Sequence, residues 1–344
     1  MSTPAQPQKP KDLSSPETLL QMMTGYWISQ AIYAAAKLGI ADLLKDGPKS
    51  SDELAQATGM HGRSLYRLLR ALASVGVFVE SADGRFGLTP LAEYLQSGVP
   101  GSMRAFALLQ SELQYRAYGE VLHSVKTGET AFNLVCGQEL FPYLTQHPTA
   151  ATVFDEAMTG YTTQVAAAVA AAYDFSQVGT LVDVGGGHGT LLTAILQANP
   201  ALHGLLFDLP HVAEDAKKRI AAAGLAERCT IMGGDFFATV PTGGDAYLLK
   251  WIIHDWDEER AVVILKHCHR AMAENGKLLL IEAVIPSGNT PFFHKFVDLT
   301  MLIIAGGRER TEAEYRTLFE AAGFKLTQII PTSSEMSVIE GVRA

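Results

Sequence analysis

Apolar positions recur along the chain with a helical period first and a mixed strand–helix period later. From Leu19 to Leu44 the sequence is apolar and alanine-rich, with Gly25 and Gly39 as its main breaks, which predicts helices. Ser51-Asp52-Glu53-Leu54-Ala55 reads as a polar cap opening a short helix that ends near Gly59. From His61 to Val75, residues Leu65, Leu68, Leu69, Leu72 and Val75 share one helical face. Gly76 to Glu80 then alternates like a strand, Asp83-Gly84 is a hairpin turn, and Arg85 to Leu88 is the return strand. Helix, turn, helix and hairpin predict a winged-helix domain over residues 15–105. Phe106 to Tyr173 is helical again, with an alanine-rich stretch at Val165–Ala172 and breaks at Gly128, Gly137, Pro142 and Pro148.

From residue 173 onward, short apolar strands alternate with helical patterns. Strands are predicted at Thr180–Val184, Leu205–Phe207, Cys229–Met232, Ala246–Leu249, Lys277–Ala283, Phe324–Ile330 and Met336–Gly341. Helices fall between most of them, so residues 173–344 are expected to form a doubly wound α/β domain with a seven-stranded sheet. Only Pro331 to Glu335 separate the last two strands, which predicts an antiparallel hairpin closing an otherwise parallel sheet.

Composition narrows the functional classes. The 344 residues are 48% hydrophobic and carry a net charge of −9, which argues against a surface built for nucleic acid. Arg63, Arg67 and Arg70 on the second helix of the winged-helix unit invite a DNA-binding reading. The acidity of the chain and fusion to a cofactor domain favour a structural, dimerising role instead. The three cysteines, Cys136, Cys229 and Cys268, are far apart and odd in number, and imply a reducing cytosol. Residues 1–14 read as a polar, disordered tail without the apolar core of a signal peptide. No window reaches 18 uninterrupted apolar residues, so no membrane span is expected.

The candidate chemistry gathers where predicted strands end. Val182-Asp183-Val184-Gly185-Gly186-Gly187-His188-Gly189-Thr190 joins a strand to a helix through a glycine-rich turn, the arrangement of a nucleotide-cofactor loop. A dinucleotide fingerprint needs glycines at positions one, three and six; counted from Gly185, the sixth position is Thr190, so the loop departs from that pattern. Asp208 ends the second strand of this domain, where an acid accepts hydrogen bonds from ribose hydroxyls or caps the next helix. Gly233-Gly234-Asp235-Phe236-Phe237 offers an acid and an aromatic face to an adenine, or is a plain turn. Leu249-Lys250-Trp251-Ile252-Ile253-His254-Asp255-Trp256-Asp257 places His254 just before a helix that Asp255 or Asp257 caps. Glu282 ends an apolar strand and needs a partner. Glu309 precedes a helix that starts at Thr311, with Glu314 as its capping-box acid. Two carboxylates beside one imidazole would fix its tautomer and raise its basicity. The alternative pairs Glu282 and Glu309 with Arg308 or Arg310 as salt bridges. His267 and His269, mid-helix and without ligand spacing, read as structural.

In that order, Asp183–Gly189, Phe207–Val212, Gly234–Phe236, Leu249–Asp255 and Gly306–Thr311 resemble the S-adenosylmethionine-dependent O-methyltransferases of the plant caffeate and flavonoid type and their bacterial natural-product relatives. The resemblance covers nearly the whole chain. It implies a Gly185–Gly189 loop around the methionyl part of the cofactor, Asp208 on the ribose, Asp235 and Phe236 at the adenine, and Lys250 nearby. Cofactor contacts are thus expected from Asp183, Gly185, Gly187, Asp208, Leu209, Gly234, Asp235, Phe236, Lys250 and Trp251. It also implies His254 as the base with Glu282 and Glu309 flanking it, and Asp255 stands beside it. No metal is expected, because methyl transfer from a sulfonium needs none and no His/Asp/Glu cluster in the sequence asks for one. The winged-helix domain is expected to make an intertwined homodimer, and residues 106–172 to contribute to the pocket of an aromatic small molecule. The segment Thr300–Ala305, which lines that pocket in such enzymes, is apolar here.

A sulfonium cofactor already activates the methyl group, so the protein must align the acceptor and take its proton. A phenol near pKa ~10 and a histidine near ~6.5 are mismatched by about 3.5 units, or roughly 5 kcal/mol for full proton transfer. Flanking carboxylates shrink that gap, which predicts general-base transfer coupled to methylation of an aromatic hydroxyl. Two other readings are a relative that keeps the cofactor for hydroxylation or pericyclic chemistry, and a winged-helix regulator that senses it. A complete base set argues against both.

Overall fold

The computed structural model describes residues 15–344, so the expected tail at 1–14 lies outside the described residues. The chain forms two compact units, one up to Ser111 and one from Glu112 to Ala344.

Five helices build the first unit up to its hairpin: Pro16–Met23, Gly25–Lys37, Ile40–Leu43, Ser51–Thr58 and Gly62–Ser74. Ser50, one residue before the predicted cap, closes a reciprocal capping box with Glu53, which satisfies two amides at the start of Ser51–Thr58. Gly62–Ser74 buries Leu65, Leu69 and Leu72, while Val75, beyond its end, is exposed. The small sheet has β1 (Lys49–Ser50), β2 (Phe78–Glu80) and β3 (Arg85–Leu88) in the order β1-β3-β2, all antiparallel. The amides of Gly76 and Val77 bond back to Ala73 and Leu72, so β2 starts at Phe78 and not at Gly76. Strand β1 was not predicted, because two residues carry no period. Ile40, Leu54, Leu69, Phe78 and Phe86 form the core of this winged-helix unit.

The second unit continues with short helices and the long helix Pro148–Ala172, then the large sheet. Its strands are β4 (Thr180–Val184), β5 (His203–Asp208), β6 (Cys229–Gly233), β7 (Ala246–Lys250), β8 (Lys277–Ala283), β9 (Phe324–Pro331) and β10 (Met336–Arg343). Their order is β6-β5-β4-β7-β8-β10-β9. Strands β4 to β8 are parallel, and β10 runs antiparallel to both β8 and β9, as the closing hairpin predicts. Both faces are covered. Leu181, Leu248, Leu279 and Ile281 meet Leu192 and Ile195 on one side, while Val182, Leu249, Leu278 and Leu280 meet Ile264 and Phe319 on the other. Double coverage is why these strands read as unbroken apolar runs. Because the five parallel strands point the same way, Gly185, Asp208, Gly234, Lys250 and Glu282 all arrive at one sheet edge, where open α/β sheets bind ligands.

Candidate active site

The glycine turn after β4 is held from below by its neighbour strand. The Gly185 amide donates to the Phe207 carbonyl at 2.8 Å, and the Gly187 amide donates to Oδ2 of Asp208 at 2.7 Å. Gly185 has φ +70°, and a Cβ there would overlap the Ile252 side chain, so backbone conformation and close approach both require glycine. Asp208 also accepts from the Leu209 amide through Oδ1 at 2.7 Å, and its carbonyl takes the Gly234 amide at 2.9 Å. One acid thus ties together the ends of three strands. Asp235 accepts from the Phe237 amide at 2.8 Å, which makes it a turn residue as well as an adenine candidate. Phe236 leans toward Gly185, and its carbonyl is bonded by Nδ1 of His267, which gives that histidine the structural role expected of it.

The charge on this edge suits a cationic ligand. Burial pushes the Asp183 carboxyl up to about 7, against the attraction of Lys250 and with repulsion from Asp208. Burial also raises Asp208, and burial with repulsion from Asp208 and Asp215 lifts Asp155 to about 7. Three acids crowded above their ordinary range fit a molecule bearing an ammonium and a sulfonium, which would restore their ionisation. Asp155 was not singled out in the sequence, where it reads as one acid on a long helix. Lys250 donates Nζ to Oγ1 of Thr162 at 2.8 Å and sits 4.0 Å over the Trp251 ring. Burial pulls its ammonium down to about 8 despite Asp183, Glu282 and Asp255. Trp251 has φ +54°, the left-handed region that a bulky residue rarely enters, and the described residues contain no other non-glycine case. That turn lays the indole nearly parallel to the His254 ring, 6.1 Å away, and against Tyr161 at 4.5 Å.

His254 lies in the short 3-10 turn Ile253–Asp255 and is 7% exposed. Its Nδ1 is 2.9 Å from Oε1 of Glu309 and 3.8 Å from Oε2 of Glu282. Oε1 of Glu282 accepts the Ile253 amide at 3.1 Å. Glu282 therefore holds the turn and lends charge, and Glu309 makes the hydrogen bond. Asp255 stands 3.5 Å from Nε2, the ring nitrogen not engaged by Glu309. Asp257, not Asp255, caps the helix Glu258–Ala271. The salt-bridge alternative does not occur: Arg308 pairs with Glu258 and Glu314, and Arg310 pairs with Glu258.

Burial drives the His254 imidazolium down, but Glu282, Asp255 and Glu309 together outweigh it and raise the ring to about 10. Glu309 is held near 2: burial opposes ionisation, and the His254 charge and hydrogen bond overcome it, with help from His294. Burial lifts Glu282 to about 7 and Asp255 to about 6. His254, Glu282 and Glu309 offer ligand atoms within 4.8 Å of one another, a spacing a metal ion tolerates. The 2.9 Å contact between Nδ1 and Oε1 is, however, a direct charge-assisted hydrogen bond.

Two residues absent from the predicted site complete it. Arg310 is fully buried, donates to the Ile253 and Trp256 carbonyls, and so clamps the His254 turn to the loop that carries Glu309. His294, at the start of the helix His294–Ile304, places Nδ1 3.3 Å from the same Oε1 of Glu309.

A glycine turn, a ring of acids and a buried histidine at the carboxyl edge of a parallel sheet define a cofactor-binding α/β enzyme. Residues 20–98 match the O-methyltransferase dimerisation domain, and residues 118–325 match the O-methyltransferase domain. The chain is 54% identical over 322 residues to the phenazine O-methyltransferase PhzM of Lysobacter antibioticus, spanning 94% of each chain. It is 39% identical to the mitomycin biosynthesis 6-O-methyltransferase of Streptomyces lavendulae, across 96% of this chain and 95% of that one. The crystal structure of LaPhzM superposes with a TM-score of 0.93 at 53% identity, across 95% of this chain and 99% of that one. The chain belongs to the S-adenosylmethionine-dependent O-methyltransferases, with the N-terminal dimerisation domain of that family. No helix of the described residues is long and apolar enough to cross a membrane.

Proposed function

We propose that the enzyme methylates a phenolic hydroxyl on a planar, fused-ring aromatic of the phenazine kind, with His254 as general base. The observation that carries this reading is the buried His254–Glu309 hydrogen bond of 2.9 Å, with Nε2 left for an acceptor. The acceptor class is supported by 54% identity to a phenazine O-methyltransferase over 94% of both chains. When bound, S-adenosylmethionine supplies a methyl group on a positive sulfur, ready for displacement by an oxygen nucleophile. Asp208 and the glycine turn hold the ribose and methionyl ends, Asp235 and Phe236 the adenine, with Asp183, Leu209, Gly234, Lys250 and Trp251 completing the wall.

His254 takes the hydroxyl proton on Nε2, while Glu309 on Nδ1 fixes the tautomer and stabilises the imidazolium. The flanking acids raise the His254 ring, which narrows the roughly 5 kcal/mol mismatch between an ordinary histidine and a phenol near ~10 once the ring is in its neutral form. Proton transfer from the hydroxyl to the neutral imidazole then costs less, and the oxygen becomes nucleophilic as the methyl moves. A nitrogen acceptor whose lone pair is already free has less need of such a base, which favours O- over N-methylation. Free thiols at Cys136, Cys229 and Cys268 suit a cytosolic enzyme.

The test is to incubate the protein with isotopically labelled cofactor and a panel of hydroxyphenazines, simple phenols and aromatic amines, read by mass. Methylated hydroxyphenazine is the expected product. His254→Ala should keep the cofactor Kd and lose 10²-fold or more in kcat, on the order of a general-base contribution. Unchanged turnover in that variant would refute the base, and a product formed only from amines would refute the acceptor.

A further inference from the structure

We propose that His294 positions the Glu309 carboxylate against His254, so that two imidazoles share one oxygen and the base is held in register by the second. The proposal rests on His254 being the base. His294 is 1% exposed, and its Nδ1 lies 3.3 Å from Oε1 of Glu309, the atom that lies 2.9 Å from Nδ1 of His254. Oε2 of Glu309 is buried and has no hydrogen-bond partner. The Glu309 amide is tied to Oδ1 of Asp298 at 2.9 Å, which fixes the main chain but not the plane of the carboxyl group. Two donors converging on Oε1 supply that missing constraint.

The His294 ring is itself immobilised. Phe292 lies 5.7 Å away, Phe293 meets it edge-on at 6.0 Å, and Trp251, which also faces His254, lies at 6.4 Å. Its Nε2 has no hydrogen-bond partner, and the exposed Glu335 stands 3.9 Å off, beyond bonding distance. The contact to Glu309 is therefore what orients the ring's polarity. The titratable groups facing this assembly are the acids Glu282 from β8, Asp255 from the His254 turn, Glu309 and Asp298 from the adjoining loop and helix, and Glu335 from the β9–β10 turn, the Tyr161 phenol, and the cations Lys250 at the end of β7 and Arg308 and Arg310 beside Glu309. Lys250 donates to Thr162, and Arg308 and Arg310 pair with Glu258, so their bonds lie elsewhere and His294 is the second partner of Oε1.

The experiment compares His294→Ala, His294→Gln and His294→Asn, each in the native chain and on Glu309→Gln. An asparagine amide nitrogen takes the place of Nδ1, whereas a glutamine amide takes that of Nε2. Alanine and glutamine should each lower kcat about tenfold, the worth of one hydrogen bond to a charged group. The KM for the cofactor should stay fixed, and the acidic limb of the kcat profile should move to lower pH as His254 loses its carboxylate. Asparagine should retain near-native turnover. On Glu309→Gln, none of the three should cost anything further, because the effect runs through Glu309. A full tenfold loss persisting on Glu309→Gln, asparagine as poor as glutamine, or an unmoved pH limb would each overturn the proposal. If His294→Ala does not fold, the asparagine–glutamine pair decides at equal melting temperature. Full activity in His254→Ala would defeat the base assignment itself, independently of these results.

Discussion

At His254 two large effects oppose each other, and with His254 as the proposed base the winner sets the pH dependence of the reaction. Desolvation favours the neutral ring, three nearby carboxyl groups favour the charged one, and the carboxyl groups prevail. Glu309→Gln keeps the size of the side chain and removes one of those charges together with its charge-assisted bond. The raised imidazole pKa should then fall toward the ordinary value near ~6.5. Since the base works deprotonated, the acidic limb of kcat/KM must move to lower pH, while the maximum drops on the order of 10²- to 10³-fold for loss of tautomer control and imidazolium stabilisation. A pH series from 5 to 11 on both proteins checks this, and a limb that moves upward would mean that Glu309 does not raise His254. Trp251 belongs to the same residue-scale picture. Its left-handed backbone is sparsely populated for a large side chain, and the strain is retained where the indole bridges Lys250 and His254.

The element that brings Glu309 to the proposed base is the loop Gly306–Thr311, which ends in a capping box between Thr311 and Glu314. Gly307 packs so closely against the His254 turn that a Cβ would collide with backbone atoms of His254, Asp255 and Trp256. Backbone cannot step aside as a flexible side chain can, so Gly307→Ala should push the loop away and carry Glu309 with it. The expected outcome is a destabilisation of about 1–3 kcal/mol, seen as a lower urea midpoint, with kcat falling as in Glu309→Gln. A variant of native stability and turnover would show that the loop is free to shift. This element also explains what sequence reading reached and what it missed. The strands were legible because both sheet faces are buried, and Glu282 stood out as a charge closing an apolar run. Arg310 and His294 did not, because nothing local marks them. Arg310 sits among other charges in a polar loop and is buried only by the turn it clamps. His294 follows two phenylalanines at a helix start and acquires its meaning from Glu309, a partner set by tertiary packing. The two-residue strand β1 was missed for the plainer reason that no periodicity exists over two positions.

At the scale of the whole molecule, the first two helices carry a dense run of exposed large apolar side chains. Leu19, Leu20, Met22, Met23, Tyr26, Trp27 and Ile28 are each 44–66% exposed, and all but Leu19 fall within residues 20–98, which match the family's dimerisation domain. Seven large apolar side chains in ten positions are far more than scattered surface hydrophobes, and a second copy of the chain is the partner the family supplies. In a two-fold interface the same patch meets itself, so one substitution removes two contacts per dimer. Burying a large side chain contributes about 1.5–3 kcal/mol, so Trp27→Asp should weaken association by about 3–6 kcal/mol, or 10²- to 10⁴-fold. Sedimentation at micromolar concentration should then find the native protein at twice the chain mass and the variant shifted to the monomer. The His254–Glu309 pair lies wholly within the second unit, so the monomeric variant also separates two roles of the first. If dimerisation only stabilises the chain, cofactor affinity persists in the monomer; if it completes the acceptor pocket, the KM for the aromatic rises while the cofactor Kd does not.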